Sequence, residues 1–200
     1  MRIKHLPLQY QHYIVPLGIL LCVLLIGLFE RQLVNMLIYD NQLIAQGEYW
    51  RLITGHLLHS NVIHLLLNGA AIILLWSLHG QFYTIKSYLL LFLFCALFTS
   101  LALYHFDPNL NRYVGLSGIL HGVFVWGACL DIYHKEKTGY LLLVGVVIKI
   151  IHEQMFGASE DLAELIAANV AINAHLWGAI AGLIAFLILL LLQRFVHRLD

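Results

Sequence analysis

In this chain of 200 residues, 61% of the side chains are hydrophobic and only 11% charged, less than half the charge of about 25% that a soluble domain carries. The formal net charge of +0 offers no basic field for nucleic acid. Apolar runs long enough to span a bilayer recur along the chain, and at roughly 20 residues per span six of them use it up. The expectation is an all-α membrane protein: one domain over residues 1–200, built as a bundle of six transmembrane helices in the lipid bilayer.

The first span is expected over Ile14–Phe29, with Pro16 near its start, where a helix tolerates proline. No small-x-small cleavage site follows, so the stretch reads as a retained span and not a signal peptide. Residues Glu30–Arg51 place Leu33, Val34, Leu37 and Ile38 at helical spacing with polar residues between them, the pattern of an amphipathic segment lying in the interface. Tyr49, Trp50 and Arg51 close it as an aromatic and cationic anchor at headgroup level. Trp50 and Arg51 read as fold anchors more than as substrate contacts.

The second span, Leu57–Leu78, is polar in its first half, with Ser60, Asn61, His64 and Asn68 and with His56 just ahead. His64 and Asn68 are four apart and share a face. His59 reads as structural, tying the first outer loop to this span, and His56 has no assigned role. The third span, Tyr88–Tyr104, is almost wholly apolar, a strut. Asp107-Pro108-Asn109 marks a turn.

Gly115-Leu-Ser-Gly118 opens the fourth span, Ser117–Tyr133. Between Gly115 and Gly118 the backbone can turn sharply and nothing crowds the Ser117 hydroxyl. The fifth span, Tyr140–Phe156, carries Lys149, His152 and Glu153 toward its outer end. Lys149 is expected to snorkel to the interface, and His152 is more a surface residue than a substrate contact. Gly157–Asn169 is an acidic, Ala-rich loop with a short surface helix. The sixth span, Ala171–Leu192, holds Asn173, His175 and the small-residue series Ala174, Gly178, Gly182. Small residues let membrane helices approach closely. Gly118 and Gly122 on the fourth span therefore predict that spans four and six pack together and bring Ser117 near His175. Cys22, Cys95 and Cys129 lie in different runs, with no zinc or disulfide spacing, and read as small buried hydrophobes.

Charge alternates by loop. Arg2, Lys4, Lys86, Lys135, Lys137, Arg194 and Arg198 form one set, and most acidic residues lie in the other loops. Lys and Arg alone favour the first set seven to four, which places both termini in the cytoplasm.

A serine, a histidine and an amide at membrane depth are the parts of a nucleophilic hydrolase. Three fragments together resemble the rhomboid intramembrane serine proteases: Trp50-Arg51 with His59, His64 and Asn68; Gly115-Leu-Ser-Gly118; and Ala174-His175-Leu-Trp-Gly178. Within that family the chain looks most like the rhombosortase branch, with its Gly-x-Ser-Gly-x-Leu-His-Gly motif. The resemblance implies a rhomboid-like six-helix bundle with Ser117 as nucleophile and His175 as base. It also implies that His64, Asn68 and the Ser117 backbone N–H line the oxyanion site, and that neither cofactor nor metal is needed. The implied localisation is the bacterial inner membrane, with the site opening to the periplasmic side. The implied substrates are transmembrane proteins, in that branch exported proteins bearing a C-terminal Gly-Gly membrane tail. The resemblance leaves the oligomeric state open.

The family commonly has an aromatic four residues after the serine; this chain has His121, which can stack on His175 or hydrogen-bond it and set its tautomer. No acidic residue lies near mid-depth on the active face, so a Ser-His dyad is expected. Glu153 is the nearest carboxylate, but toward the outer end of its span. Two other readings are a non-catalytic rhomboid-like binder of transmembrane clients and a haem or metal protein using His59, His64, His121 and His175. The first is disfavoured because both Ser117 and His175 are present. The second would give Ser117 and Asn68 no purpose.

Overall fold

In lipid the backbone must satisfy its own hydrogen bonds, so apolar runs of this length become helices. The computed structural model describes residues 6–196; Arg2, Lys4 and Arg198 of the positive set lie outside the described residues. Its bundle consists of α1 (Tyr10–Leu28), α5 (Val62–His79), α6 (Ile85–Phe106), α7 (Ser117–Tyr133), α8 (Thr138–Phe156) and α10 (Ile172–Val196). All but α7 are long and apolar enough to cross a membrane. At 17 residues, α7 rises roughly 26 Å, short of a hydrocarbon core of about 30 Å. It can be short because its neighbours sheathe it: α5, α6, α8 and α10 all pack on it, and residues on every side of it are buried.

Several boundaries shift by a few residues, and two of the shifts move named residues. The first helix begins earlier, so Pro16 sits inside it instead of at its start. The second span begins later, because Asn61 caps α5 by accepting the His64 backbone N–H at 2.8 Å. His56 and His59 therefore lie ahead of the helix, His56 in a 3₁₀ turn over Gly55–Leu57. Cys95 and Cys129 are buried as expected, whereas Cys22 faces outward.

The amphipathic stretch folds into α2 (Glu30–Leu37), β1 (Tyr39–Asp40), α3 (Asn41–Ala45) and α4 (Arg51–Thr54). Buried Arg51 holds it together: its guanidinium donates to Glu48 Oε2 at 2.7 Å, Ile38 O at 2.8 Å and Asn35 O at 2.9 Å. Trp50 Nε1 donates to Met36 O at 3.0 Å. Both side chains thus bond the backbone of the α2–β1 stretch. The β1 strand pairs antiparallel with β2 (Arg112–Tyr113), Tyr39 opposite Tyr113, a ribbon that no sequence signal announced. It ties the interfacial segment to the loop that delivers Ser117.

The α7–α10 crossing is made of bare backbone. A Cβ on Gly178 would fall on the Gly118 carbonyl, and one on Gly182 on the Gly122 carbonyl. This is the close approach predicted for spans four and six.

Candidate active site

The loop into α7 turns at Gly115, whose φ of +117° lies in the left-handed region that favours glycine. Space demands glycine as well, since a Cβ there would meet the His64 ring at 2.8 Å. The Gly115 carbonyl accepts from the Tyr113 hydroxyl at 2.6 Å and lies 3.3 Å from His56 Nδ1. His56, fully buried, also reaches Ala96 O at 3.1 Å and Ser100 Oγ at 2.9 Å. Burial pushes its pKa down to about 4, against the pull of the two carbonyls, so the ring is neutral at pH 7.

Ser117 opens α7, where the first backbone N–H groups of a helix have no acceptor within it. From α10, His175 Nε2 lies 3.0 Å from Ser117 Oγ. His121, one turn below the serine, stacks on His175 with ring centroids 4.2 Å apart and planes at 18°. Its Nδ1–H donates to Ser117 O at 2.7 Å. Of the two roles expected for His121 the rings adopt the stack, and its own hydrogen bond goes to the serine carbonyl.

The dyad expected from the sequence gains a carboxylate. His175 Nδ1 lies 2.9 Å from Glu153 Oε2, and Lys149 Nζ donates to the other oxygen, Oε1, at 2.7 Å. Lys149, expected to snorkel to the interface, is half exposed and reaches one turn along α8 to Glu153, beside the site. The sequence names Glu153 but sets it aside on depth. The missed signal is its spacing from Lys149: a carboxylate on an apolar helix needs a partner, and an i, i+4 cation supplies one while leaving an oxygen for another helix.

His64 and Asn68 are both buried beside Gly115. The Ser60 hydroxyl hydrogen has two acceptors in reach, Ile166 O at 2.6 Å and His64 Nδ1 at 3.0 Å. When it serves His64, the ring carries its proton on Nε2, the nitrogen facing Gly115. Asn68 Nδ2 has no hydrogen-bond partner among the described residues, a donor left over for a ligand atom. His59 packs its ring edge-on against His64 at 5.0 Å, and its backbone N–H donates to Glu30 Oε1 at 2.9 Å. These contacts join α2 to the loop that leads into α5. His152 stays apart, tilted on Phe156 at 5.1 Å.

Above the site, α9 (Glu160–Leu165) forms the short helix expected in the acidic loop. The loop is latched to the start of α5 by Ser60 and by Asn61, whose Nδ2 donates to Leu165 O at 3.0 Å. The ligand atoms of His121, Glu153 and His175 lie within 4.8 Å of one another, close enough for a cation. Yet His121 Nδ1 and both His175 nitrogens already have partners, and the Lys149 ammonium occupies the carboxylate, so the donor set suits proton handling better than a metal.

A Rhomboid domain family model matches residues 46–192. The chain is 31% identical over 151 residues to "Rhomboid protease GluP" of Bacillus subtilis (strain 168), an alignment covering 73% of this chain and 27% of that protein. It is 28% identical over 145 residues to YdcA of the same organism, covering 72% of this chain and 69% of YdcA. The chain thus spans about a quarter of GluP's length. With a family model over most of its length, and serine, histidine and asparagine gathered at one end of the bundle, the chain belongs to the rhomboid family.

Proposed function

We propose that this protein is an intramembrane serine endopeptidase, with Ser117 as nucleophile and His175 as general base. The observation that carries this reading is the 3.0 Å contact between Ser117 Oγ and His175 Nε2 inside an apolar bundle. A serine hydroxyl is a poor nucleophile until an adjacent base takes its proton. In the proposed reaction, Oγ attacks the scissile carbonyl as its proton passes to Nε2. The tetrahedral oxyanion is held by the Ser117 backbone N–H, Asn68 Nδ2 and His64 Nε2–H. Collapse breaks the peptide bond, His175 returns the proton to the leaving amine, and water resolves the acyl-enzyme. Asn68 Nδ2, unpartnered among the described residues, supports the oxyanion assignment, since a buried donor without a partner is costly unless a ligand uses it.

Substrate access is assigned between α5 and α8. A cavity of about 370 Å³ lies there, lined by Leu74, Leu120, Phe124, Leu141 and Gly145 and ending at His121 and Lys149. Its apolar walls suit a transmembrane segment. The finer reading is that the substrate is the C-terminal Gly-Gly membrane tail of an exported protein, since cleavage requires local unwinding and glycines weaken the helix. The alternative substrate is a general transmembrane helix cut near its outer end. The proposed setting is a bacterial inner membrane, termini cytoplasmic and site periplasmic.

The test is co-expression with a reporter ending in Gly-Gly, an apolar helix and a basic tail, followed by immunoblot. A shorter product made by the wild type and not by Ser117→Ala is expected. Cleavage of a generic rhomboid substrate alone would retain the protease and remove the tail specificity. If neither is cut, a client-binding protein becomes the better reading.

A further inference from the structure

We propose that Glu153 is a positioning residue of the site, holding the His175 ring through Nδ1–H with Lys149 as its counterion, so that the working array is Ser117–His175–Glu153. This rests on the serine protease reading above and replaces its simple dyad.

The tautomer argument comes first. An ionised carboxylate only accepts hydrogen bonds, so the 2.9 Å contact from Glu153 Oε2 to His175 Nδ1 places a hydrogen on Nδ1. A neutral imidazole has one N–H. Nε2 is therefore left with its lone pair, directed at Ser117 Oγ 3.0 Å away, the form a general base requires. Lys149 Nζ also lies 3.4 Å from Nδ1, but a nitrogen donating to Glu153 cannot accept from Lys149. The lysine acts through the carboxylate, on Oε1 at 2.7 Å.

Burial makes the arrangement more than a helix-surface pair. Glu153 is 7% exposed, and a buried carboxylate is costly unless each oxygen is engaged. Here one oxygen has the ammonium and the other the imidazole. With His121 stacked on one face of His175, the ring is fixed in plane by the stack and in rotation by Glu153. During the reaction the Ser117 proton goes to Nε2 and then to the leaving amine. The Nδ1 hydrogen stays where it is, and Glu153 takes no proton. The cation beside the carboxylate offsets part of its attraction for an imidazolium, so the main contribution is orientation.

The experiment uses full-length protein in detergent with a transmembrane reporter, comparing wild type, Ser117→Ala, Glu153→Gln and Glu153→Asp, with ¹⁵N-histidine NMR of His175. Glu153→Gln is expected to lower kcat by about 10²–10⁴-fold, as when a triad carboxylate becomes an amide. KM should stay within about threefold, and the His175 proton should move from Nδ1 to Nε2 as the amide N–H₂ turns to the ring. Glu153→Asp is expected to restore part of kcat and the Nδ1–H form. Wild-type kcat in Glu153→Gln, or a proton that stays on Nδ1 there, overturns the proposal. If Glu153→Gln does not fold, the wild-type spectrum decides: Nδ1–H supports the proposal and Nε2–H overturns it. Cleavage surviving in Ser117→Ala would instead remove the serine protease reading itself.

Discussion

Along its contact with α10, α7 presents backbone with no side chains between, at Gly118 against Gly178 and at Gly122 against Gly182. Along its contact with α8 the match is between side chains, Val125 and Cys129 with Val146 and Ile150, and Gly145, on the cavity face of α8, has nothing among the described residues within 4 Å of its would-be Cβ. Near the N-terminal end of α8 the two helices come close, where a Gly139 Cβ would meet the Ala128 carbonyl at 2.7 Å. Two backbones in contact cannot slide without collision, whereas apolar side chains re-pack at modest cost. Ser117 and His175, the proposed nucleophile and base, are therefore held to each other across a close backbone seam. The carboxylate and one wall of the apolar cavity ride on α8, which meets α7 at backbone distance at Gly139 and through side chains beyond it.

The largest expected effect comes from breaking the seam. Gly178→Ala drives a methyl group into the Gly118 carbonyl. It should cost at least about 1–3 kcal/mol, and displacing His175 from Ser117 by 1 Å should cost on the order of 10²-fold in cleavage. Thermal unfolding in detergent and reporter cleavage check both.

The rigid half also has an acid limit. His56 holds the Gly115 loop with a pKa lowered to about 4, so the unfolded chain takes up a proton first as pH falls. Its contribution is present above the unfolded value near 6.5 and is lost progressively toward pH 4, about 3 kcal/mol in all. Burial and the neighbouring His64 lower His59 to about 3, which acts in the same direction. Tm should fall across that window, and His56→Phe should start lower at pH 7 but show a shallower slope.

Smaller effects sharpen the contrast. Gly145→Ala, on the cavity face of α8, should meet no collision and raise stability by about 0.5–1 kcal/mol through helix propensity, the opposite sign from Gly178→Ala. His121→Phe keeps the stack on His175 and loses only the bond to Ser117 O. Cleavage should stay within a few-fold of wild type, with a stability loss of about 0.5–1.5 kcal/mol. A collapse of activity in that variant would return a tautomer-setting role to His121.

Much of the site was legible because rigid geometry leaves periodic marks. Small residues four apart on two spans announced the seam, and the seam determined that Ser117 would face His175. Glu153 left a weaker mark: whether it reaches His175 depends on the rotation and tilt of α8, and neither is encoded in spacing along α8 alone. His56 and Tyr113 were missed because their common target is the Gly115 carbonyl. That contact exists only once the β1–β2 ribbon has drawn two distant loops together.

The sequence by itself determined the class of protein, the six apolar helices, the paired small residues, and the serine, histidine and amide that stand out in apolar surroundings. These follow from local chemistry, because lipid forces the backbone into helices and polar groups at membrane depth are costly wherever they lie. Tertiary structure decided which polar groups share a hydrogen bond, joining Glu153 to His175, His56 to the Gly115 loop, and Ser60 to the loop above the site. Those contacts span 22 to 106 residues of chain and turn on ångström-scale placement, which only the packed bundle supplies.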